Sequence, residues 1–388
     1  MKFTVQRENI LAQAIRAYKV TPRKHVMPQL NGIHIEAFAK HNALRLTATD
    51  LDMSIRVSLH SNVEHSGAVI VDAKLLIEML TKLPGDKVDI ELINENSLRV
   101  SSGVTNFSIS VLSGAEYPKI EMPLPGETIT VANISALLNS TVFAASKESI
   151  GATARPQLCC VNLIIDADGI RATASDGYCI VETLGDRDCK GNFTMLISAK
   201  AAGTLASLAN NRDVFELGVT GEGAGKTASF FDGSLLFTAR LVNGEFIDIG
   251  NIFSNFSAVT TVKVDVNKLQ ELVANVAAVA TEATQMEISV GNEKLTLRCV
   301  TENGRAEASL SVPSAKSSET VFYCSPKRIT DYLKTHKGTL TLEFAKTGML
   351  VMRCGNSRYL QVGERKRVII PKTENALKEK TKKKVKAA

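Results

Sequence analysis

The segment of this chain that looks most like a chemical site is GEGAGKT, a glycine-rich stretch with a lysine at residues 221–227. A phosphate-binding loop needs a glycine five residues before the one that precedes the lysine, and it must open a helix whose N-terminus receives the phosphates. Thr220 stands at that glycine position, and residues 227–231 alternate like a strand. We therefore predict a hairpin turn here. A nucleotide hydrolase built on this segment is the enzyme alternative.

A second candidate is a pair of acidic residues, Asp50 and Asp52, which would point to the same side of a strand. Paired carboxylates can hold Mg²⁺ or perform acid–base work. At the two equivalent places later in the chain, Asp176 and Glu302 keep the first acidic residue, but the second is lost. This pattern favours a role for Asp50 in a turn or between strands over a metal site.

Histidine and cysteine do not supply a chemical centre either. The six histidines lack HExxH or similar spacing, and no serine or cysteine sits in a nucleophile elbow. The seven cysteines include no CxxC pair. We therefore predict no catalytic residues, no metal, no cofactor and no disulfide framework.

Length and composition indicate an ordinary globular protein. At ~150 residues per domain, 388 residues predict two or three domains, with 44% hydrophobic and 22% charged residues. No apolar run approaches the ~20 residues of a membrane span, and the N-terminus lacks a signal-peptide core. We expect a cytoplasmic protein without membrane contact. Lysines in residues 373–388 supply much of the net charge of +6, and this tail is expected to be disordered.

An internal repeat sets the architecture. The segments LRLTATD, IRATASD and TLRCVTE start at intervals of 126 residues, at positions 44, 170 and 296. The segments VDAK, ISAK and CSPK recur at nearly the same spacing, from positions 71, 197 and 324. Two equal steps imply three tandem copies. We predict domains at residues 1–124, 125–255 and 256–372, followed by the tail at 373–388.

Each copy is predicted to be α+β, with two helices and several antiparallel strands. A short alternating strand opens each copy and leads into a helical pattern. A second helix follows the N-cap residues Asp72, Ser198 and Ser325, and Gly338 is expected to end the last of these helices. Because no flexible linker separates the copies, rigid packing is favoured. Two three-domain chains could then close into a six-domain ring, which is a hypothesis at this point.

Lysines recur at the start of the second helix in every copy. Lys74, Lys200 and Lys327 lie in the first turn, where the helix dipole disfavours a cation. Their recurrence indicates faces that meet phosphates, with a solvated surface as the alternative. No pattern for reading base edges accompanies them, so any DNA contact is expected to be made to the backbone and to be independent of sequence. The predicted DNA-binding residues are Lys24, Lys74, Lys82, Lys147, Arg155, Lys200, Arg212, Lys327 and Arg328.

The chain resembles the bacterial beta sliding clamp family, the beta subunit of DNA polymerase III. The resemblance is carried by MKFTVQRENIL at the start, LTATDLDMSIRV from Leu46, NFSISVLSGAEYPKI from Asn106, IRATASDGYCIVE from Ile170 and FTARLVNGEFIDI from Phe237. It implies a homodimeric ring with helices inside and sheets outside, duplex DNA through the hole, and no catalysis. It also implies as partners the DNA polymerase III alpha subunit, the clamp loader complex and other proteins with a clamp-binding motif.

The resemblance further implies two protein contacts. A partner peptide would enter a pocket between the second and third domains, formed by Leu158, Ser175, Gly177, Tyr178, Cys179, Ile180, Ile247, Asn251, Ile252, Leu360 and Val362. The dimer contact would bring Leu76, Ile77 and Phe107 of one chain to Val279 and Ala280 of the other.

The sequence departs from the family at the pocket and at the C-terminus. Tyr178, Cys179 and Ile180 stand where the family commonly has His-Arg-Leu, and the charged segment VGERKR follows from Val362 where family members usually end on apolar residues. The runner-up function is therefore a divergent paralogue that keeps the clamp fold and acts as a DNA-binding scaffold without normal polymerase contact.

Overall fold

A computed structural model describes residues 1–147, 155–189, 191–209, 213–312 and 320–367. The predicted DNA contact Arg212 and the tail at 373–388 lie outside the described residues. Within those ranges the chain combines short helices with antiparallel strands, so the α+β prediction is confirmed. None of the helices described is long and apolar enough to cross a membrane.

The helices are α1 Arg7–Tyr18, α2 Ala73–Lys82, α3 Ile134–Asn139, α4 Ala199–Leu208, α5 Ile249–Ser254, α6 Val266–Ala277 and α7 Pro326–Leu333. The strands up to residue 113 are β1 Lys2–Gln6, β2 Gly32–Phe38, β3 Ala43–Thr49, β4 Met53–His60, β5 Asn62–His65, β6 Gly67–Asp72, β7 Lys87–Asn94, β8 Ser97–Ser102, β9 Thr105–Ser110 and β10 Leu112–Ser113.

The strands from residue 129 to residue 240 are β11 Ile129–Ala132, β12 Cys160–Asp166, β13 Gly169–Ser175, β14 Cys179–Leu184, β15 Phe193–Ser198, β16 Val214–Thr220, β17 Thr227–Phe231 and β18 Leu235–Arg240. The remaining strands are β19 Ala258–Asp265, β20 Met286–Gly291, β21 Lys294–Thr301, β22 Gly304–Ser311, β23 Thr320–Cys324, β24 Thr339–Ala345, β25 Met349–Cys354 and β26 Ser357–Val362.

The second helix of each copy starts where the capping pattern predicts. The Asp72 carboxylate accepts the Leu75 N–H at 2.8 Å, and the Ser198 hydroxyl accepts the Ala201 N–H at 3.2 Å. Such bonds satisfy donors that the first helical turn leaves without a partner. Ser325 occupies the same position before α7, but its side chain makes no capping bond. The expected stop at Gly338 is wrong, because α7 already ends at Leu333.

Contacts divide the chain into two compact units. Unit 1 comprises residues 1–136, 165–169 and 186–243, and unit 2 comprises residues 137–164, 170–185 and 244–388. The middle copy of the repeat is thus divided between the two units. The contacts group residues that share a sheet, and a sheet includes strands of more than one copy. The two units therefore do not test the predicted copy boundaries, which stay a prediction.

Unit 1 contains two antiparallel sheets, with strand orders β5-β1-β7-β8-β9 and β10-β6-β2-β3-β4-β18-β17-β16-β11. Its core includes Phe3, Phe215, Phe230 and Phe237, all fully buried. Residues 221–227 join β16 to β17, which pair in antiparallel register. The predicted hairpin turn is therefore confirmed, and the segment does not open a helix.

In unit 2, the strands β12-β13-β14-β26-β25-β24-β19 are neighbours in one sheet, and β22-β21-β20-β23 form a four-stranded sheet. Helix α6 packs against β21, β22 and α7. Tyr332 and Tyr359 are the largest fully buried side chains, with ring centroids 5.2 Å apart.

Two strand pairings join copies of the repeat, one in each unit. In unit 1, β4 of the first copy pairs with β18 of the second, with Ile55 opposite Phe237. In unit 2, β14 of the second copy pairs with β26 of the third, with Ile180 opposite Leu360. We call each of these pairings a joint. Both position the residues of the candidate site.

Candidate functional site

The three lysines at helix starts differ in what they contact. Lys74 and Lys327 are exposed and pair within their own helices, Lys74 with Glu78 at 3.8 Å and Lys327 with Asp331. Such exposed pairs contribute little to stability. These two ammonium groups therefore remain available to an external phosphate.

Lys200 is instead held inside the unit 1 joint. Its ammonium group lies 2.6 Å from the Asp50 carboxylate, whose side chain is only 5% exposed. The other carboxylate oxygen of Asp50 accepts the N–H groups of Asp52 and Met53 and closes the turn between β3 and β4. The predicted turn or inter-strand role of Asp50 is confirmed, and Lys200 is its structural partner.

The unit 2 joint repeats this arrangement with Asp176. One carboxylate oxygen of Asp176 accepts the N–H groups of Tyr178 and Cys179, each at 2.9 Å. The other lies 2.7 Å from the guanidinium group of Arg328 at the start of α7. Burial opposes the charge on Arg328, but Asp176, together with Cys179 and Tyr359, raises the pKa of the guanidinium.

The other predicted DNA contacts lie on the surface. Lys24 and Lys82 are exposed in unit 1, and Lys147 and Arg155 are exposed in unit 2. A cavity of about 330 Å³ in unit 2 is lined by Lys147, Lys327 and Arg328. Tyr178 and Cys179 also line it. The fold thus brings three residues predicted for DNA to the same cavity as two residues predicted for a peptide.

Most apolar residues of the predicted peptide pocket form one cluster in unit 2. Ile180 and Leu360 are buried there, and Ile247 and Ile252 pack against them. Val362 points to the same face of β26 as Leu360 and remains 41% exposed. We refer to Ile180, Ile247, Ile252, Leu360 and Val362 as the apolar groove.

The turn before β14 supports one end of this groove. The Ser175 hydroxyl donates to the Cys179 carbonyl at 2.7 Å and accepts the Gly177 N–H at 3.1 Å. Gly177 has a φ of +88°, which favours glycine. Leu158 is buried beside it: a Cβ added at Gly177 would lie 3.9 Å from Leu158 Cδ1.

Three predicted pocket residues have other roles or positions. Cys179 points to the opposite side of β14 from Ile180, with its thiol 4.0 Å from the Ala144 carbonyl, and burial raises the pKa of this thiol to about 12. Tyr178 is 66% exposed under the Arg328 guanidinium. Asn251 donates its side-chain N–H to Asp248 at 2.6 Å in the first turn of α5.

Two residues that pack beside the apolar groove were not predicted from the sequence. Phe253 is buried in the same cluster. The Arg358 guanidinium lies over the Phe253 ring, 4.0 Å from its centroid, and donates to the Glu182 carboxylate at 2.5 Å. The apolar spacing of Ile249, Ile252 and Phe253 along α5 could have indicated Phe253. Only the pairing of β26 with β14 places Arg358 there.

The predicted dimer residues are only partly exposed. Phe107 lies half-buried on β9, an edge strand of unit 1, and Val279 and Ala280 are half-buried after α6 in unit 2. Leu76 is fully buried in its own unit, so a contact with a second chain through Leu76 is wrong. Its neighbour Leu75 is 39% exposed, whereas Ile77 is half-buried.

Comparison with known proteins decides the family. Residues 1–121 match the family described as DNA polymerase III beta subunit, N-terminal domain. The beta sliding clamp of Micrococcus luteus is 30% identical over 321 residues, which cover 81% of this chain and 99% of that protein. The chain belongs to the beta sliding clamp family.

Solved structures of sliding clamps have the same fold. A DNA polymerase sliding clamp from Bacillus subtilis has a TM-score of 0.83 at 21% identity, covering 95% of this chain and 100% of that one. A clamp from Pseudomonas aeruginosa bound to griselimycin gives the same TM-score at 20% identity, covering 94% and 100%. These structures show the fold, and membership of the beta sliding clamp family makes the protein a DNA sliding clamp, a processivity factor without catalytic activity.

Proposed function

We propose that two copies of this clamp close around duplex DNA and tether the DNA polymerase III alpha subunit through the apolar groove. The clamp loader complex and other proteins with a clamp-binding motif would use the same groove, in the cytoplasm. The observation that carries the proposal is the repetition of the joint.

The joint occurs twice inside the chain. Each of the two types of strand that form it occurs a third time in the repeat, outside these two pairings. In both joints, the strand that follows the turn near Asp50 or Asp176 pairs with the last long strand of the next copy. In the third copy, the strand equivalent to β4 and β14 is β22. In the first copy, the strand equivalent to β18 and β26 is β9. Both lie at the edge of their sheets. An exposed edge is a template for pairing with another chain, so β22 of one clamp would pair with β9 of a second.

The dimer has a direct test in solution. We expect sedimentation at about twice the chain mass of 41.8 kDa. Phe107→Asp should shift the equilibrium toward monomer, because it places a charge in the centre of the proposed contact. Val104→Asp is the matched control, since Val104 is 97% exposed in the neighbouring turn. A wild-type monomer at every concentration would contradict the dimer.

The DNA contacts in this proposal are made to phosphate and not to bases. Lys24, Lys74, Lys82, Lys147 and Lys327 are exposed cations on helices and adjoining loops. Lysine binds phosphate as a point charge, without preference for a base. Lys200 and Arg328 contribute less, because each already neutralises a joint aspartate.

The groove in this proposal binds an apolar peptide. Apolar burial contributes roughly 25 cal/mol per Å² and can supply most of the affinity of a short peptide without specific polar groups. Tyr178 and Cys179 stand where the family commonly has His-Arg, so the preferred peptide should differ from that of other clamps.

Calorimetry with peptides from the host polymerase and clamp loader tests this groove. We expect Val362→Asp to weaken binding by about tenfold or more, since 1.4 kcal/mol of lost apolar contact corresponds to that factor. Val214→Asp is the control, because Val214 has similar exposure on β16 and lies in unit 1. If no peptide gives heat, or if both variants bind equally, partners are recruited elsewhere.

A further inference from the structure

A row of polar side chains crosses the face of the nine-stranded sheet of unit 1 that points away from α1. Successive residues of a strand point to opposite faces. Leu46 is fully buried on the side of α1, so Arg45 and Thr47 on either side of it point away from that helix. His34 on β2 and Arg56 on β4 lie directly opposite Thr47 and share this face.

Tyr117, in the segment after β10, covers part of this row. Its ring stacks on the His34 imidazole, with the ring centroids 4.8 Å apart and the planes 10° from parallel. The side chain is only 7% exposed and packs against Ile70, which lies opposite His34 on β6. We refer to His34, Arg45, Arg56 and Tyr117 as the polar cluster. Its members are thus partly shielded from water.

Four polar atoms of this cluster are buried without a hydrogen-bond partner in the part of the chain that the structure describes. They are Nε2 of His34, Nε of Arg45, Nε of Arg56 and the hydroxyl oxygen of Tyr117. The Tyr117 hydroxyl lies near the Thr49 backbone but makes no hydrogen bond of normal geometry with it. Buried polar groups in folded proteins nearly always have a partner. Four such atoms in one place therefore indicate a site that an external group completes.

The polar cluster also carries a surplus positive charge. Arg45 lies 3.7 Å from the Glu36 carboxylate on the neighbouring strand. Arg56 forms no ion pair or side-chain hydrogen bond with any described residue. Burial, and to a lesser degree the neighbouring Arg45, lower the pKa of the Arg56 guanidinium, and the attraction of Glu36 offsets them only in part. An added negative charge would remove this imbalance.

The equivalent position of the unit 2 joint has a partner. Glu182 follows Arg56 by 126 residues, which is the interval of the repeat. It lies opposite Arg358 on β26 and accepts a hydrogen bond from its guanidinium at 2.5 Å. Arg56 lies instead opposite Leu236 on β18, which has no charge to offer. The same place in the fold is therefore neutralised in unit 2 and left cationic in unit 1.

We propose that the polar cluster binds a carboxylate from an acidic segment of a partner protein. A carboxylate supplies the single negative charge that Arg56 lacks, and guanidinium groups bind it through paired N–H donors. Exposed Glu116 precedes Tyr117, and exposed Glu216 lies in the same row of the sheet, so a polyanion such as DNA would be repelled there. The site is separate from the apolar groove and from enclosure of DNA, and it goes beyond the proposed function.

The test is binding of a fluorescently labelled peptide of four glutamates to the full chain, with a peptide of four glutamines as the neutral probe. We expect Arg56→Gln to weaken binding of the acidic peptide at least about tenfold, which is the usual contribution of a hydrogen bond between charged groups. Glu36→Gln should strengthen it, because Arg45 then loses its competing carboxylate. Arg99→Gln is the matched control, since Arg99 is a 47% exposed arginine of unit 1 that lies 3.7 Å from Glu91.

Thermal unfolding followed by calorimetry checks that the variant stays folded. Because Arg56 is a half-buried cation without a partner, Arg56→Gln should unfold at a temperature no lower than Arg99→Gln. A lower temperature would assign Arg56 to stability and overturn the proposal. Equal binding of the two peptides, or equal binding by the two variants, would also overturn it. So would an effect of Arg56→Gln on a short DNA duplex without any effect on the acidic peptide, which would assign nucleic acid to the cluster instead.

Discussion

Once loaded onto a nicked circular plasmid, this clamp is expected to stay bound in salt that removes ordinary DNA-binding proteins, and to leave when the circle is cut. Proteins held by phosphate contacts lose on the order of 10³-fold in affinity between 50 and 200 mM salt. A ring is held by enclosure instead, so only an open end or an opened ring releases it. The expected difference in retention is thus larger than that from any single substitution.

The measurement follows a labelled clamp through gel filtration with the plasmid after loading by the host clamp loader. The same plasmid linearised before loading is the control, since its length and sequence are identical. Equal release from both forms, with a steep dependence on salt, would contradict enclosure. That outcome would favour the runner-up, a clamp-fold scaffold that only binds DNA.

The second large effect is expected from Asp176→Ala. This carboxylate closes the turn before β14 through two N–H groups and neutralises Arg328, whose side chain is only 27% exposed. Removing one member of a half-buried pair leaves the other charge without compensation, which costs about 3 kcal/mol. We therefore expect the free energy of unfolding of unit 2 to fall by roughly that amount, and peptide binding in the adjoining groove to weaken.

Two variants separate the charge from the turn. Asp176→Asn can still accept the two N–H groups but loses the ion pair, so its loss of stability should be intermediate. Asp52→Ala is the matched control, because that carboxylate is 79% exposed and 4.0 Å from Arg240, and its effect should stay within about 0.5 kcal/mol.

Because the chain has two units, thermal unfolding should be followed by calorimetry, which resolves separate transitions. A change no larger for Asp176→Ala than for Asp52→Ala would show that the joint does not depend on this carboxylate.

The C-terminal segment illustrates a limit of sequence reasoning. The charged residues after Val362 were expected to change the groove, because they replace apolar residues of the family. Their position depends on Gln285, which lies 79 residues before Glu364 in the chain. No local pattern connects a glutamine after α6 with a backbone segment at the end of the chain.

The sequence alone determined the features that depend on neighbouring residues. Helix starts at Asp72 and Ser198 follow from a cap and the N–H groups two or three residues later. The hairpin at residues 221–227 follows from glycine and the alternation around it. The division into three copies is predicted from the repeat and stays a prediction. The helix starts and the hairpin depend on contacts within a few residues of the chain, where propensity and periodicity act directly.

Only the tertiary structure decided which residues are available for function. Lys74 and Lys200 occupy the same position in the repeat, but Lys74 meets Glu78 in its own helix and Lys200 meets Asp50, 150 residues away. Leu75 and Leu76 look alike in sequence, and the packing of α2 exposes one and buries the other. These outcomes depend on which strands pair between the copies. Long-range packing decides that pairing, and no local sequence pattern predicts it.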